Sequence, residues 1–231
     1  MNRIEAESVV SSVGWLSRQP SAFRGRFLQQ AELREVSAGN ALYALGDDHG
    51  GIFGLASGTL EVLIAPGPFP PMLALVARPG WWVGDAALIS RTPRRVGITA
   101  RTDCQVLFVS EASVEAMARV DPVTWRRIAE ITVGHVDNVL ALAACLMPRD
   151  GRSRLLATLC RLAIYDMTTE DGVEIAASHE ELGEMASLSR NMVSRILDAL
   201  AGDGLIEKKY GRIRVPDIQA LIAEMNAQAM R

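Results

Sequence analysis

Apolar residues along the chain change their spacing twice, and these changes predict how the chain is organised. Up to about residue 35 they recur at helical intervals among Arg, Gln and Ser. Between residues 36 and 110, glycines separate short β-leaning runs over 52–55, 59–64, 72–76 and 105–109. Short strands with turns at regular intervals are typical of an antiparallel barrel or sandwich. Helical spacing returns at Ser110, and a short helix is predicted over 110–118.

The longest helical pattern starts at Asp121-Pro122 and ends before Pro148. Alternating spacings of three and four define a coiled-coil seam along it, made of Trp125, Ile128, Thr132, His135, Val139, Leu142 and Leu146. Leu140, Ala143 and Met147 lie beside the seam, so the helix is apolar over more than one face. One face can dock on the barrel and the other on a partner helix. We expect the seam to be a homodimer interface; the alternative is a core helix of a monomer.

The segment 148–151 (Pro-Arg-Asp-Gly) breaks the helical pattern and is the expected domain boundary. A second α-rich segment begins at Arg152. The patterns together predict an α+β chain with a β-rich domain over 1–120, a dimerisation helix over 121–148 and a C-terminal domain over 149–231.

Residues 178–200 show the pattern of two helices joined by a short turn. Ser178 followed by Glu181 is a capping box that starts the first helix. A turn over 186–188 leads to Ser189, which caps the second helix. Apolar positions of this second helix are expected to face the core, namely Met192, Val193, Ile196, Leu197 and Leu200. Polar residues project the other way, namely Arg190, Asn191, Ser194 and Arg195.

This arrangement of donors suits the reading of DNA. Arginine can bond guanine and asparagine can bond adenine, each through two hydrogen bonds in the major groove. The stretch 207–215 alternates apolar and basic residues about Gly211, which predicts a β-hairpin wing with a cationic edge that includes Arg214. The candidate DNA-binding residues are Ser178, Ser189, Arg190, Asn191, Ser194, Arg195, Lys208, Lys209 and Arg212.

Composition narrows the class of protein. The formal net charge of the 231 residues is −3, so a DNA-binding surface must concentrate its basic groups in one place. The three cysteines lie far apart without a CxxC pair, which argues against a disulfide framework and favours a reducing cytoplasm. We find no signal pattern and no uninterrupted apolar run near the ~20 residues that span a bilayer, so we expect a cytoplasmic protein without membrane contact.

The motifs of common enzymes are missing from the sequence, including the nucleophile elbow, the P-loop, HExxH and the dinucleotide fingerprint. Asp47-Asp48-His49 is a candidate metal cluster, but a glycine-flanked acidic loop is more often a simple turn. We therefore expect no enzyme and no metal site.

The run EELGEMASLSRNMVSRILDALAGDGLIEKKYGRIRV resembles the DNA-binding region of the CRP/FNR (catabolite activator-like) regulators. The glycine spacing over 39–58 and the run Pro79–Asp85 are similar to that family's cyclic-nucleotide-binding barrel. The resemblance implies a jelly-roll β-barrel, a central dimerisation helix and a C-terminal winged helix-turn-helix, with a hinge over 150–154. It also implies a homodimer on a pseudo-palindromic site, with recognition helices ~34 Å apart, and RNA polymerase as a candidate partner. Asn191 stands where the family often has Glu, and Ser187 where it often has Gly.

The resemblance also implies an effector pocket. The family's Gly-Glu, Arg-Ser and adenine-contacting positions align with Gly84-Asp85, Arg94-Arg95 and Val139-Leu140. The carboxylate is shorter, a hydroxyl is replaced by a second charge, and two apolar residues cannot bond a base edge. These departures argue against cyclic AMP as the effector, and the barrel binds another small molecule or none. Arg94 and Arg95 form either an anion site or a solvated turn.

Other cofactors of the family are not expected. An iron–sulfur cluster needs four cysteine ligands, and the chain has three cysteines. His49 and His135 are the candidate haem ligands, and we interpret both as structural. An alternative function remains open, namely a cyclic-nucleotide-responsive module whose C-terminal domain contacts a protein instead of DNA.

Overall fold

The computed structural model describes residues 1–65, 70–165, 172–209 and 211–229. Gly67 in the predicted barrel turns and Tyr210 in the predicted wing lie outside the described residues. The chain divides into two compact units, Met1–Val136 and Asp137–Arg231.

The first unit begins with three helices that cover one side of a β-structure. They are α1 (Arg3–Ser12), α2 (Gly14–Ser17) and α3 (Ser21–Gln29). Asn2 caps α1 through a capping box with Glu5. Trp15, Phe23 and Phe27 are buried against the strands and are in aromatic contact with one another. The helical pattern predicted for the first 35 residues is confirmed up to Gln29, and a strand begins at Glu32.

The strands form two four-stranded antiparallel sheets. Their bounds are β1 (Glu32–Val36), β2 (Ala41–Tyr43), β3 (Gly51–Ser57), β4 (Leu60–Ile64), β5 (Met72–Ala77), β6 (Trp82–Val83), β7 (Gly97–Ala100) and β8 (Cys104–Ser110). One sheet has the order β1-β8-β3-β6 and the other β2-β7-β4-β5. This is the predicted jelly roll. The helix α4 (Asp85–Ser90) and the short strands β1, β2, β6 and β7 carry too few residues to show a period in the sequence.

Two helices follow the strands. Ser110 caps α5 (Glu111–Val120), and its hydroxyl accepts a hydrogen bond from the Ser113 amide. The long helix α6 (Val123–Leu146) matches the predicted pattern within two residues at its start. Ile128 and Ile131 of α6 belong to the core of the first unit. By length and composition α6 could also cross a membrane, but a helix that supplies core side chains passes the same test.

Among the described residues, the second unit contains the end of α6, a three-stranded sheet and four further helices. The bounds are α7 (Gly151–Tyr165), β9 (Val173–Ile175), α8 (His179–Ala186), α9 (Arg190–Gly202), β10 (Glu207–Lys209), β11 (Arg212–Val215) and α10 (Ile218–Ala229). The strand order is β10-β11-β9. The buried side chains are mostly aliphatic, including Leu155, Leu156, Leu159, Leu182, Val193, Leu197, Leu200 and Leu221. The fold of this unit is a winged helix-turn-helix.

Candidate DNA-binding surface and barrel interior

The first helix of the pair, α8, begins as the sequence predicts. The Ser178 amide donates to the Glu181 carboxylate at 2.6 Å, and the Glu181 amide donates to the Ser178 hydroxyl oxygen at 3.2 Å. Leu182, Met185 and Ala186 form the buried face of α8. The capping box therefore fixes where the helix starts, and the apolar face fixes its orientation in the unit.

The turn between α8 and α9 depends on residues that the pattern analysis did not single out. Ser187 adopts the left-handed conformation with φ +52°, which explains why glycine is common at this position in the family. Gly183 allows a close approach, because a Cβ there would lie 2.6 Å from the carbonyl oxygen of Leu188. The Arg154 guanidinium donates to the Ala186 carbonyl at 3.1 Å. Arg154, expected in a hinge, therefore holds the C-terminal end of α8 inside its own unit.

The second helix, α9, exposes a row of donors near its N-terminus. The Ser189 hydroxyl oxygen accepts a hydrogen bond from the Met192 amide at 3.3 Å, which confirms Ser189 as the cap. Arg190, Asn191 and Arg195 are exposed, and Ser194 is half-buried. Among the described residues, neither Arg190 nor Arg195 has an ion-pair partner. Their guanidinium groups are available to an external ligand.

One residue of α9 differs from its predicted environment. Val193, Leu197 and Leu200 are buried as expected and Ile196 is half-buried, but Met192 is 37% exposed. Its thioether lies over Gly151, where a Cβ would come within 2.9 Å of the sulfur. Met192 therefore borders the start of α7 and is not enclosed in the core.

The predicted wing is a hairpin, but each of its cations is paired with a carboxylate. Lys208 pairs with Asp198 of α9, and Arg214 pairs with Glu207 at 2.8 Å. The remaining two wing cations share one carboxylate, that of Glu174 in β9, at 3.1 Å from the Lys209 Nζ and 3.0 Å from the Arg212 Nη1. These hydrogen bonds, first from Lys209 and then from Arg212, lower the pKa of Glu174. The strand β9 has only three residues and was not predicted, so the position of this carboxylate beside the wing was not predicted either.

The barrel interior holds Arg94 in a closed environment. Its side chain is 5% exposed, and its Nη atoms donate to the carbonyls of Gly84 at 3.0 Å and Gly51 at 2.9 Å. The guanidinium lies 4.4 Å from the ring centre of Tyr43. Burial lowers the pKa of Arg94 and raises that of Tyr43. The solvated-turn interpretation is therefore wrong for Arg94, whereas its neighbour Arg95 is exposed.

Asp85, aligned with the family's ribose contact, is bonded inside its own unit. The carboxylate is 1% exposed and accepts a hydrogen bond from the Thr132 hydroxyl. Its other oxygen lies 3.4 Å from the His135 Nδ1, and the His135 ring packs on Trp81 at 5.1 Å between ring centres. Thr132 and His135 of the predicted dimer seam therefore face α4.

The first half of the predicted seam contacts the first unit. Ile128 has no exposed surface, and Trp125 packs against the same core. The assignment of Ile128 to a dimer interface is therefore wrong. The exposed apolar positions lie one residue further along the chain, at Val133, Val136, Leu140 and Ala143 of α6 and at Met147 directly after it. Val139 and Leu146 of the predicted seam are also exposed, at 61% and 41%, and Leu142 is half-buried.

The candidate metal loop has other bonds. The Asp47 carboxylate accepts from the Ala44 amide at 2.7 Å and closes a turn. The His49 Nδ1 lies 2.7 Å from the Glu111 carboxylate. Both contacts are those of a structural loop.

Comparison with known proteins places two domains on this chain. Residues 33–121 match the family of the cyclic nucleotide-binding domain, and residues 153–224 match the Crp-like helix-turn-helix domain. The cAMP-activated global transcriptional regulator CRP of Pasteurella multocida is 25% identical over 183 residues, which are 78% of this chain and 88% of that protein. The cAMP-activated global transcriptional regulator Vfr of Pseudomonas aeruginosa is 23% identical over 190 residues, 80% of this chain and 89% of that protein.

Solved structures share the fold. FixK2 from Bradyrhizobium japonicum aligns with a TM-score of 0.72 and 18% identity, over 84% of this chain and 96% of that one. The c-di-GMP-responsive regulator CLP of Xanthomonas campestris aligns with a TM-score of 0.66 and 22% identity, over 86% of this chain and 100% of that one. With a cyclic-nucleotide-binding jelly roll followed by a Crp-like helix-turn-helix, the chain belongs to the CRP/FNR family of transcription regulators, whose members are not enzymes.

Proposed function

We propose that this regulator binds a pseudo-palindromic promoter site as a homodimer in the cytoplasm, with α9 in the major groove and without control by cyclic AMP. Residues 1–120 are the sensor-like domain, 121–148 the dimerisation helix and 149–231 the DNA-binding domain. RNA polymerase is a further partner in this proposal, because family members regulate transcription.

The availability of the donors on α9 is the observation that carries the proposal. Arg190, Asn191 and Arg195 are exposed on one face of a helix whose other face is buried. An arginine without an internal partner can place both terminal nitrogens on guanine N7 and O6. Ser189 adds a helix N-terminus, at which backbone amides suit a phosphate oxygen.

An electrophoretic shift assay tests this assignment. Genomic fragments selected by the protein supply the target duplex, and Arg190→Ala and Arg195→Ala are compared with wild type. Each substitution should weaken binding to the target by about 10- to 100-fold, which corresponds to ~1–3 kcal/mol for a bidentate base contact. Both variants should unfold like wild type in urea, because neither side chain is buried. If wild type selects no sequence, or if both variants bind as wild type does, the proposal fails.

The exposed face of α6 supports a homodimer. Val133, Val136, Leu140 and Ala143 follow spacings of three and four, which keeps them on one stripe of the helix, and Met147 follows directly after its end. Leu140 is 63% exposed and Met147 81% exposed. Such a stripe fits the same stripe of a second copy, which is the isologous arrangement that a two-fold site requires.

Sedimentation equilibrium tests the stripe. Leu140→Asp should convert the dimer to monomer at micromolar concentration, because it places a charge at the centre of an apolar interface. Binding to the two half-site target should fall by more than ~100-fold in the same variant, since each half-site then binds alone. Asp137→Asn, on the same helix, serves as the control and should leave the dimer intact. A monomeric wild type, or a dimeric Leu140→Asp variant, would contradict the assignment.

The internal bonds of the aligned effector residues support independence from cyclic AMP. Arg94 donates to two backbone carbonyls, and Asp85 accepts from α6. Val139 and Leu140 carry no hydrogen-bonding group for a base edge. A cyclic nucleotide would have to break these bonds before it could make its own.

A further inference from the structure

The two cations at the tip of the wing, Lys209 and Arg212, share one carboxylate, whereas Arg214 at its base pairs with Glu207. Lys209 and Arg212 lie directly opposite each other in the hairpin, on either side of the turn. Like charges in such a cross-strand pair repel each other. The carboxylate of Glu174 bonds both groups, and it comes from β9, on the other side of β11.

The pairing of the tip cations with Glu174 is exposed to solvent and so can be exchanged. The exposed fractions of the side chains are 47% for Lys209, 60% for Arg212 and 38% for Glu174. Exposed ion pairs of this kind contribute little to stability and are weakened by salt. A DNA phosphate that lies against the wing can therefore replace Glu174 as the partner of these cations.

The geometry points to Glu174 as a specificity-determining residue: we propose that it keeps Lys209 and Arg212 from binding DNA until α9 has docked on its target. On other sequences the tip cations stay on Glu174, and non-specific affinity stays low. On the target, contacts of α9 hold the wing at the backbone long enough for phosphates to take over the two cations. This inference rests on the proposed DNA-binding function.

Glu174→Gln removes the charge and keeps the shape of the side chain. With a shuffled duplex of the same composition, the full-length variant should bind about three- to tenfold more tightly than wild type at low salt, because two cations become available to phosphates. The slope of log K against log salt should become steeper by about 1–2, since each phosphate contact adds ~0.9. Affinity for the selected target should rise less, so the ratio of specific to non-specific affinity falls.

Two controls separate this role from a general change of charge. Glu207→Gln removes the same charge at the base of the wing, where Arg214 is only 26% exposed, and it should change the ratio less. In the Lys209→Ala/Arg212→Ala background, Glu174→Gln should have no effect on either duplex. Fluorescence anisotropy with labelled duplexes measures all of these affinities.

The outcomes distinguish this inference from the proposed function. An unchanged affinity in Glu174→Gln, an equal gain on both duplexes, or a gain that persists without Lys209 and Arg212 would overturn the role of Glu174. Target binding by wild type would stand in each of those cases. Failure of wild type to bind any selected duplex would overturn the proposed function itself.

Discussion

The helix α9 and the barrel interior both carry arginines at positions where this family binds ligands, and they differ in what those arginines contact. On α9, Arg190 and Arg195 are exposed, and neither has an ion-pair partner among the described residues. In the barrel, Arg94 is buried and donates to the carbonyls of Gly51 and Gly84. The arginines are therefore exposed in one region and buried with internal acceptors in the other.

The internal hydrogen bonds of an arginine therefore indicate whether its guanidinium group is available to an external ligand. Where guanidinium nitrogens already donate to internal acceptors, an external anion gains little by displacing those acceptors. In Arg94 this holds for the two Nη atoms, whereas its Nε is buried without a partner among the described residues. An exposed guanidinium keeps its water and can exchange it for a base edge or a phosphate. By this criterion we expect the surface around α9 to take an external ligand and the Nη atoms of Arg94 to hold the barrel together.

The largest difference expected between the two regions concerns stability. Arg94→Ala should lower the free energy of unfolding by about 2–4 kcal/mol, because it opens a cavity and removes the guanidinium donor from the Gly51 and Gly84 carbonyls, of which Gly84 keeps the Leu88 amide. Arg95→Ala, at the adjacent exposed position, should change it by less than about 0.5 kcal/mol. Urea denaturation followed by tryptophan fluorescence measures both variants. Equal stabilities for the two variants would show that Arg94 is not a structural tie.

The sequence predicts the elements on each side of this comparison better than it predicts their contacts. Long periodic segments such as α6 and α9 and the capping box at Ser178 were found, because they depend on neighbours within one or two turns. The partner of Arg94 could not be found, since Gly51 lies far away along the chain and offers only a backbone carbonyl. Glu174 could not be placed beside the wing either, because its strand has only three residues and shows no period in the sequence.

The dimer seam shows where periodicity alone becomes ambiguous. On a helix with two apolar faces, both the seam through Ile128 and the stripe through Val133 fit spacings of three and four. Only burial decides between them, and Ile128 is fully buried in the first unit while Val133 is 59% exposed. The two patterns differ by one residue, which rotates the assigned face by about 100°.

A smaller effect concerns the backbone of the two regions. Among the described residues, the non-glycine positions with positive φ are Ser187 at the turn before α9 and Arg91 at the end of α4. Ser187→Gly should stabilise the protein by about 0.5–1 kcal/mol, since glycine adopts this conformation without a Cβ clash. Arg91→Gly should gain less, because it also removes the ion pair with Glu115. Thermal unfolding compares the variants, and a destabilised Ser187→Gly protein would contradict the turn geometry.

The smallest expected effect is the response of the barrel to cyclic nucleotides. Micromolar affinity requires a binding free energy of about −8 kcal/mol. A cyclic phosphate bonded to the same N–H groups of Arg94 would first have to displace the carbonyls of Gly51 and Gly84, and a ribose at Asp85 would displace Thr132. We therefore expect no heat of binding with cyclic AMP or cyclic GMP in isothermal titration calorimetry, and no change in affinity for the selected duplex. Micromolar binding of either nucleotide would show that the internal bonds of Arg94 and Asp85 are exchangeable, and the contrast between the barrel and α9 would then disappear.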